Sequence, residues 1–234
     1  MPITLEHARI QLRERLGEPH GEGSFENKEL NTWLEEGARQ VAIITECFAT
    51  TSDVVALTGQ YIFNAPPNAI RVNRMEWCDN NPVTANSVIY PLESCPMVKL
   101  NNFRQGGQST SRGVPSVWSW WGYPGTTTFR LHVYPAAHTP GTLRIHYYRY
   151  PTSTGDVDSA NLDVVEGWEH FIYDYAEYRA RIKDRDIDIA KTLKEDFDGN
   201  VQGLRQQFRA LTDNQNGSLE PDPFRYDPYD PYGW

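Results

Sequence analysis

The sequence predicts an α+β protein in which helices near both ends of the chain enclose an antiparallel β region, followed by an extended C-terminal tail. Apolar residues recur every three or four positions in the first and last thirds of the chain, which is typical of helices with one buried face. In the middle third they alternate with polar residues, which is typical of strands. A chain of 234 residues is long enough to bury a sizeable core.

Two helices are predicted before about residue 51. The first contains Leu5 and Leu12 and ends at Gly17. We expect Ser24 or Asn27 to cap the second helix, which we expect to continue to about Thr51. Its buried face is predicted to consist of Leu30, Trp33, Leu34, Val41, Ile44 and Phe48.

Helical periodicity returns after residue 160 in two stripes separated by the charged residues 183–188. Asp186 or Asp188 is expected to cap the second of these helices. Gly199 and Gly203 each weaken that helix by about 1 kcal/mol relative to Ala, so either a close backbone approach requires them or the helix is marginal. Residues 1–51 and 160–212 are therefore predicted to form one helical bundle.

Residues 52–159 are predicted to form an antiparallel β-domain, as a small sandwich or an open barrel. Residues 70–77 alternate between apolar and polar side chains, as expected of a strand with one wet face. Residues 129–135 and 143–148 share nearly one pattern, with Arg and His expected on the face opposite the aliphatic side chains, and the short link between them predicts a hairpin. Residues 101–112, rich in Asn, Gln, Gly and Ser, are expected to form an exposed loop.

Composition excludes several classes of protein. The net charge of −9 disfavours a protein that coats nucleic acid, although DNA could still pass nearby. No stretch approaches the roughly 20 apolar residues of a membrane span, and the N-terminal residues do not resemble a secretory signal, so we expect neither membrane residence nor classical secretion. Cys47, Cys78 and Cys95 are odd in number and widely spaced, which favours reduced thiols.

The sequence offers no catalytic residue, cofactor site or metal site. It lacks a phosphate-binding glycine loop, a nucleophile elbow and a zinc-protease motif. His132 and His146 would face each other only in one hairpin register, and the register shifted by two residues places each beside an arginine. The acids at 184, 186 and 188 lack the glycine and distal glutamate of a calcium loop, so a solvated turn is favoured.

Two aromatic segments are the candidate partner-binding sites. Residues 117–123 are expected to form an exposed aromatic loop containing Trp118, Trp120 and Trp121, which either covers the β-domain, packs on a neighbour or stacks on a sugar. Residues 213–234 are acidic and dense in proline, and are predicted to form an extended tail that binds a partner through its rings. The candidate residues in this tail are Phe224, Arg225, Tyr226, Tyr229, Tyr232 and Trp234.

Several linked motifs, whose order and spacing matter more than any one of them, resemble a known family. They are Phe25 with Trp33-Leu34-Glu35-Glu36-Gly37-Ala38; Tyr61 and Pro66 with Ile70-Arg71-Val72 and Trp77; Gly113-Val114-Pro115; Leu131-His132-Val133-Tyr134-Pro135; Gly141-Thr142-Leu143-Arg144-Ile145-His146-Tyr147-Tyr148 with Pro151; and Trp168 with Tyr175-Ala176, Arg179 and Asp184 to Asp188. Over about residues 3–212, this pattern resembles the head-to-tail adaptor (connector or neck) proteins of tailed bacteriophages.

The resemblance implies a structural virion protein with no enzymatic activity. Such adaptors form a ring, commonly of twelve copies, that docks on the portal protein, extends the DNA channel and offers a platform to the tail or to the next neck protein. It further implies a helical bundle beside a β-region and a C-terminal segment that docks on the portal. Localisation would be the neck of the virion, after synthesis in the host cytoplasm.

A function of another class remains open at this stage. A carbohydrate-binding module would use Trp118, Trp120 and Trp121 as a stacking platform, and a tail-associated virion protein could use the same residues. A hydrolase is disfavoured because no spacing singles out a pair among the 31 acids. A sequence-specific DNA binder is disfavoured because no basic recognition element is present.

Overall fold

The structure, a computed structural model, describes residues 3–18, 24–84, 87–104, 111–122 and 129–216, with side chains as far as residue 207. It confirms the α+β class. The described helices are α1 (Leu5–Leu16), α2 (Asn27–Thr45), α3 (Met97–Phe103), α4 (Glu169–Lys183) and α5 (Ile187–Asn216). The described strands are β1 (Ala49–Ala56), β2 (Ile62–Asn64), β3 (Ala69–Cys78), β4 (Ile89–Ser94), β5 (Arg112–Gly113), β6 (Val117–Trp121), β7 (Arg130–Tyr134), β8 (Ala136–Ala137) and β9 (Gly141–Arg149).

The first two helices begin and end with recognisable caps. Helix α1 ends at Gly17, which takes the left-handed conformation (φ 73°), as predicted. Helix α2 is capped by Glu26 in a reciprocal capping box with Glu29, so the expectation of Ser24 or Asn27 was wrong. The helix also stops at Thr45, not near residue 51, because Glu46 turns into the left-handed conformation and the chain enters β1.

Helices α1, α2, α4 and α5 pack around one apolar cluster. Leu12, Leu34 and Phe197 are almost completely buried in it. Helices α2 and α4 approach closely at Gly37, where a Cβ atom would lie 2.9 Å from the carbonyl oxygen of Ile172. The close contact explains why the α2 face needs a glycine there.

Seven of the described strands form one mixed sheet in the order β1-β9-β3-β4-β6-β7-β2. The prediction of a purely antiparallel region was wrong, because β4 and β6 run parallel, as do β5 and β8 in a small second sheet. The predicted hairpin was also wrong: β7 pairs with β2 and β6, whereas β9 pairs with β1 and β3. The two strands separate because the link between them forms β8, which pairs with β5 instead.

The sheet curves around its own apolar core. Its edge strands β1 and β2 are consecutive in the chain and are joined by residues 57–61. Such a link spans at most about 21 Å, whereas seven flat strands would separate the edges by about 29 Å. The enclosed cluster includes Phe63, Trp77 and Leu131.

The connection from β9 to α4 joins the sheet to the helices. Leu5 and Glu6 donate backbone hydrogen bonds to the carbonyl oxygens of Ala160 and Asp158. The buried Arg9 contacts the carboxylate of Asp158 at 2.8 Å. Through these hydrogen bonds and this ion pair, residues 150–163 therefore connect α1 to the end of the sheet.

Helix α5 is twice as long as its antiparallel neighbour α4. It has 30 residues against 15, which is a difference of about 22 Å in length. Among the α5 side chains described, which end at residue 207, the buried ones are Ala190, Phe197 and Val201, and Leu204 also packs on the helical cluster. Because α5 is the longer helix, its second half continues past the start of α4. Neither Gly199 nor Gly203 meets a close backbone among the described residues.

No helix in the described part of the chain is both long and apolar enough to cross a bilayer.

Candidate interaction surface

The three candidate tryptophans lie on strand β6, so the expectation of an exposed aromatic loop was wrong for residues 117–121. Trp118 is buried in the sheet core, while Trp120 and Trp121 are 44% and 59% exposed. Trp120 packs edge-on against Phe129, with ring centroids 5.5 Å apart. Adjacent residues of a strand point to opposite faces of the sheet, so Trp120 and Trp121 do not form one flat platform for a sugar.

Trp121 belongs to a row of side chains on the outer face of the sheet. It lies opposite Arg130 of β7, which in turn lies opposite Asn64 of β2. His132 is two residues from Arg130 on the same strand and therefore points to the same face. The register thus places an exposed indole and an exposed guanidinium beside an imidazole.

Arg104, which directly follows α3, extends this row. Its guanidinium donates to Nδ1 of His132 at 3.1 Å and lies 4.7 Å from the centroid of the Tyr61 ring. An arginine can only donate, so Nδ1 is the accepting nitrogen and the proton of the neutral imidazole is on Nε2. Phe103 stacks on Tyr134 with ring centroids 5.6 Å apart, which holds the end of α3 against β7.

The surface holds His132 in its neutral form. Burial, together with the charges of Arg104 and Arg130, lowers the pKa of His132 to about 4. Burial also lowers the pKa of Arg104. The sequence pattern placed His132 on the face opposite the aliphatic side chains, which the strand confirms, and on that face its side chain is almost fully buried beneath Arg104.

Stability should therefore fall in acid because of this one histidine. Its pKa is lower in the folded state than the ordinary 6.5, so its contribution is fully present above pH 6.5 and is lost as the pH falls toward 4. With allowance for solvent screening, we expect the free energy of unfolding to drop by about 1 kcal/mol between pH 7 and 5 on this account. Urea unfolding of His132→Asn at both pH values checks this, because the variant should lose less stability than the parent. An equal loss in both proteins would contradict the assignment.

All residues of this surface except Tyr61 lie in a part of the chain from which acidic residues are absent. No Asp or Glu occurs between Glu93 and Asp156, whereas six Lys and Arg do, so the net charge of −9 divides into +6 in this segment and −15 elsewhere. Arg144 and Arg149 are paired with Asp53 and Asp163. Among the described residues, no ion pair involves the other four cations of the segment, which are Lys99, Arg104, Arg112 and Arg130.

We call the surface formed by Tyr61, Arg104, Trp121, Arg130 and His132 the arginine face. Of these residues, only Trp121 was a candidate for partner binding from sequence. The signal that points to Arg104, Arg130 and His132 is the uninterrupted absence of acids over 62 residues of an acidic chain, and Tyr61 lies outside that segment. The net charge of the whole chain does not show this uneven distribution of acids.

The tail candidates Phe224, Arg225, Tyr226, Tyr229, Tyr232 and Trp234 lie outside the described residues, so their role stays a prediction.

Apart from the arginine face, a cleft lies where α2 meets the connection after β9. This cleft, of about 470 Å³, lies beside Glu35, Arg39 and Tyr150. Glu35 accepts hydrogen bonds from the hydroxyl of Ser153 and from both the backbone N–H and the hydroxyl of Thr154. The guanidinium of Arg39 stacks on Tyr150 at 4.4 Å. These contacts connect α2 to the segment that follows β9.

The structure separates the residues considered for metal binding. His146 of β9 contacts Glu76 and Thr51, and β9 is not adjacent to the strand that carries His132. Within the described ranges, no group of three His, Cys, Asp or Glu side chains is arranged to hold a metal ion. The three cysteines are free thiols, and burial raises the pKa of each.

The chain was compared with models of protein families and with curated proteins. The model described as SU10 adaptor protein matches residues 4–222. The chain belongs to the SU10 adaptor protein family. No curated protein matches it.

Membership of the SU10 adaptor family confirms the resemblance to phage head-to-tail adaptors and makes the chain a phage adaptor-type structural protein. The match covers both apolar clusters and the arginine face, together with the first part of the tail. Residues 223–234, which carry all six tail candidates, lie beyond the matched residues. The assignment of the family therefore does not depend on the tail candidates.

Proposed function

We propose that this protein is a subunit of the adaptor ring that docks on the portal of a tailed phage, extends the DNA channel and gives the tail, or the next neck protein, its point of attachment. The observation that carries this proposal is the family match over residues 4–222. The ring is proposed to contain twelve copies and to reside in the neck of the virion.

The proposed division of labour follows the two apolar clusters. Helices α1, α2, α4 and α5 act as a helical bundle and the strands between α2 and α4 act as a β-domain inserted into it, which the separate cores of helices and strands support. The boundaries predicted at residues 51 and 212 shift, because residues 49–51 belong to β1 and residues 213–216 belong to α5. Residues 217–234 act as the partner-binding tail, reaching the portal or a neighbouring subunit. DNA is cargo that passes the ring, and a net charge of −9 favours passage over tight binding.

The mass of the complex formed with a purified portal ring tests the proposal. We expect the portal to gain about twelve times 26.8 kDa when the adaptor is added in excess, as measured by mass photometry. A portal from an unrelated phage is the control and should gain nothing. A chain that stays monomeric and leaves the mass of its own portal unchanged would refute the proposed role.

A further inference from the structure

We propose that the arginine face of one subunit binds residues 217–234 of a neighbouring copy of this chain. The inference rests on the proposed function only for the presence of neighbouring copies side by side. It assigns the tail to the next subunit, so the tail would complete the ring on which portal docking depends.

The chemistry of the face calls for an anionic partner. Arg104 is half-buried, and its contacts with His132, the carbonyl oxygen of Val133 and the Tyr61 ring supply no negative charge. An arginine has five N–H donors, and a buried cation is costly unless it is paired. Arg130 adds a second positive charge on the same face, beside the exposed indole of Trp121.

The tail has the complementary composition. Residues 217–234 contain four acids and one arginine, which give a net charge of −3, together with five aromatic rings and four prolines. Proline favours an extended chain that loses little entropy on binding, and aromatic-lined grooves are the usual docking sites of such segments. Carboxylates of the tail would pair with the guanidinium groups while its rings pack on Trp121 and Tyr61.

The position of the end of α5 and the length of the tail allow the tail to reach a neighbouring copy. Helix α5 is about 22 Å longer than α4, so the tail begins away from the helical core. Eighteen residues in an extended conformation reach about 55 Å, which exceeds the width of a domain of this size. A neighbouring copy in a ring is therefore within reach.

Photo-crosslinking in the full chain tests the contact. Trp121→p-benzoylphenylalanine places the crosslinker on the face, and mixing isotopically heavy and light chains separates contacts within a chain from contacts between chains. We expect the main product to join Trp121 of one chain to residues 217–234 of another. Tyr90→p-benzoylphenylalanine, an exposed aromatic position on β4, is the matched control and should not capture the tail. A product within one chain, a product with another region, or no product would overturn the proposal.

Binding of a labelled peptide of residues 217–234 to the full chain tests the charge contribution. Fluorescence anisotropy should show affinity reduced about tenfold in Arg104→Gln/Arg130→Gln, with loss of most of the salt dependence. Arg74→Gln, which removes an exposed charge from β3, should leave the affinity unchanged. Unchanged affinity in the double variant would overturn the proposal. If a DNA duplex binds the parent chain but not the double variant, and the peptide does not bind the parent chain, the arginine face would be assigned to nucleic acid.

The outcomes distinguish this inference from the proposed function. A chain that joins portals in rings but whose arginine face ignores the tail refutes only the inference. A chain whose tails bind neighbouring arginine faces but which never joins a portal refutes only the proposed function.

Discussion

Deletion of residues 221–234 is expected to leave the subunit folded and to abolish its incorporation into portal-bound rings. The two apolar clusters are built from described residues no later than Leu204, so we expect them to persist without residues 221–234. Circular dichroism and the urea midpoint should therefore match those of the full chain. The deletion removes five rings and three acids of the proposed tail contact, and aromatic anchors commonly dominate interfaces. Mass photometry with the portal should show loss of the adaptor ring.

A variant of full length separates the rings from the length of the tail. Phe224, Tyr226, Tyr229, Tyr232 and Trp234 are changed to Ser, which preserves the charge and the prolines of residues 221–234. This variant should fail to join the portal as completely as the deletion does. Normal occupancy by the truncated chain would remove any role for the tail in assembly, and normal occupancy by the Ser variant alone would shift that role to the backbone and the acids.

Local pattern was sufficient to predict the helices. The 3.6-residue period identified α1, α2, α4 and α5, and Gly17 marked the end of α1 because only a residue tolerant of positive φ fits there. The boundary at Thr45 escaped prediction, since apolar Phe48 continues the spacing of the buried face although the chain has already turned at Glu46. A periodic pattern reports which face is buried and does not report where the backbone leaves the helix.

Strand pairing could not be predicted from local pattern. The two strands β7 and β9 have nearly the same sequence and a short link, which are the usual marks of a hairpin. Their partners are instead β2 and β6 for one, and β1 and β3 for the other. The decisive contact is the pairing of Ala136 with Arg112, more than 20 residues apart. Alternation within a strand fixes its buried face but leaves its neighbours unspecified.

Trp121 is the one residue of the arginine face that was predicted from sequence as a partner-binding candidate. It is noticeable because three tryptophans occur within residues 118–121. Arg104 and His132 come together because α3 packs against β6 and its end reaches β7, which is a tertiary contact. The charge segregation between Glu93 and Asp156 is readable from sequence, but it becomes a surface only when the sheet aligns Arg130 with Trp121.

Gly141→Ala is expected to destabilise the protein by about 3 kcal/mol or more, which is at the upper end for overpacked cores. A Cβ atom at this position would lie 2.5 Å from Cζ2 of Trp77 and 2.6 Å from the carbonyl oxygen of Cys78. Neither atom can yield easily, because Trp77 is buried in the sheet core and Cys78 is part of strand β3. Urea unfolding, monitored by tryptophan fluorescence, measures the change in the free energy of unfolding.

Gly199→Ala is the matched control, because it makes the same chemical change where no atom lies within 4 Å of the added methyl group. Glycine costs a helix about 1 kcal/mol relative to Ala, so this variant should gain stability by up to that amount. Opposite signs for the two variants would show that the cost at Gly141 comes from the contact between β9 and the Trp77 ring. If the Gly141→Ala protein is as stable as the parent, β3 and β9 approach each other less closely than the structure places them. The curved sheet would then lack this close contact at the start of β9.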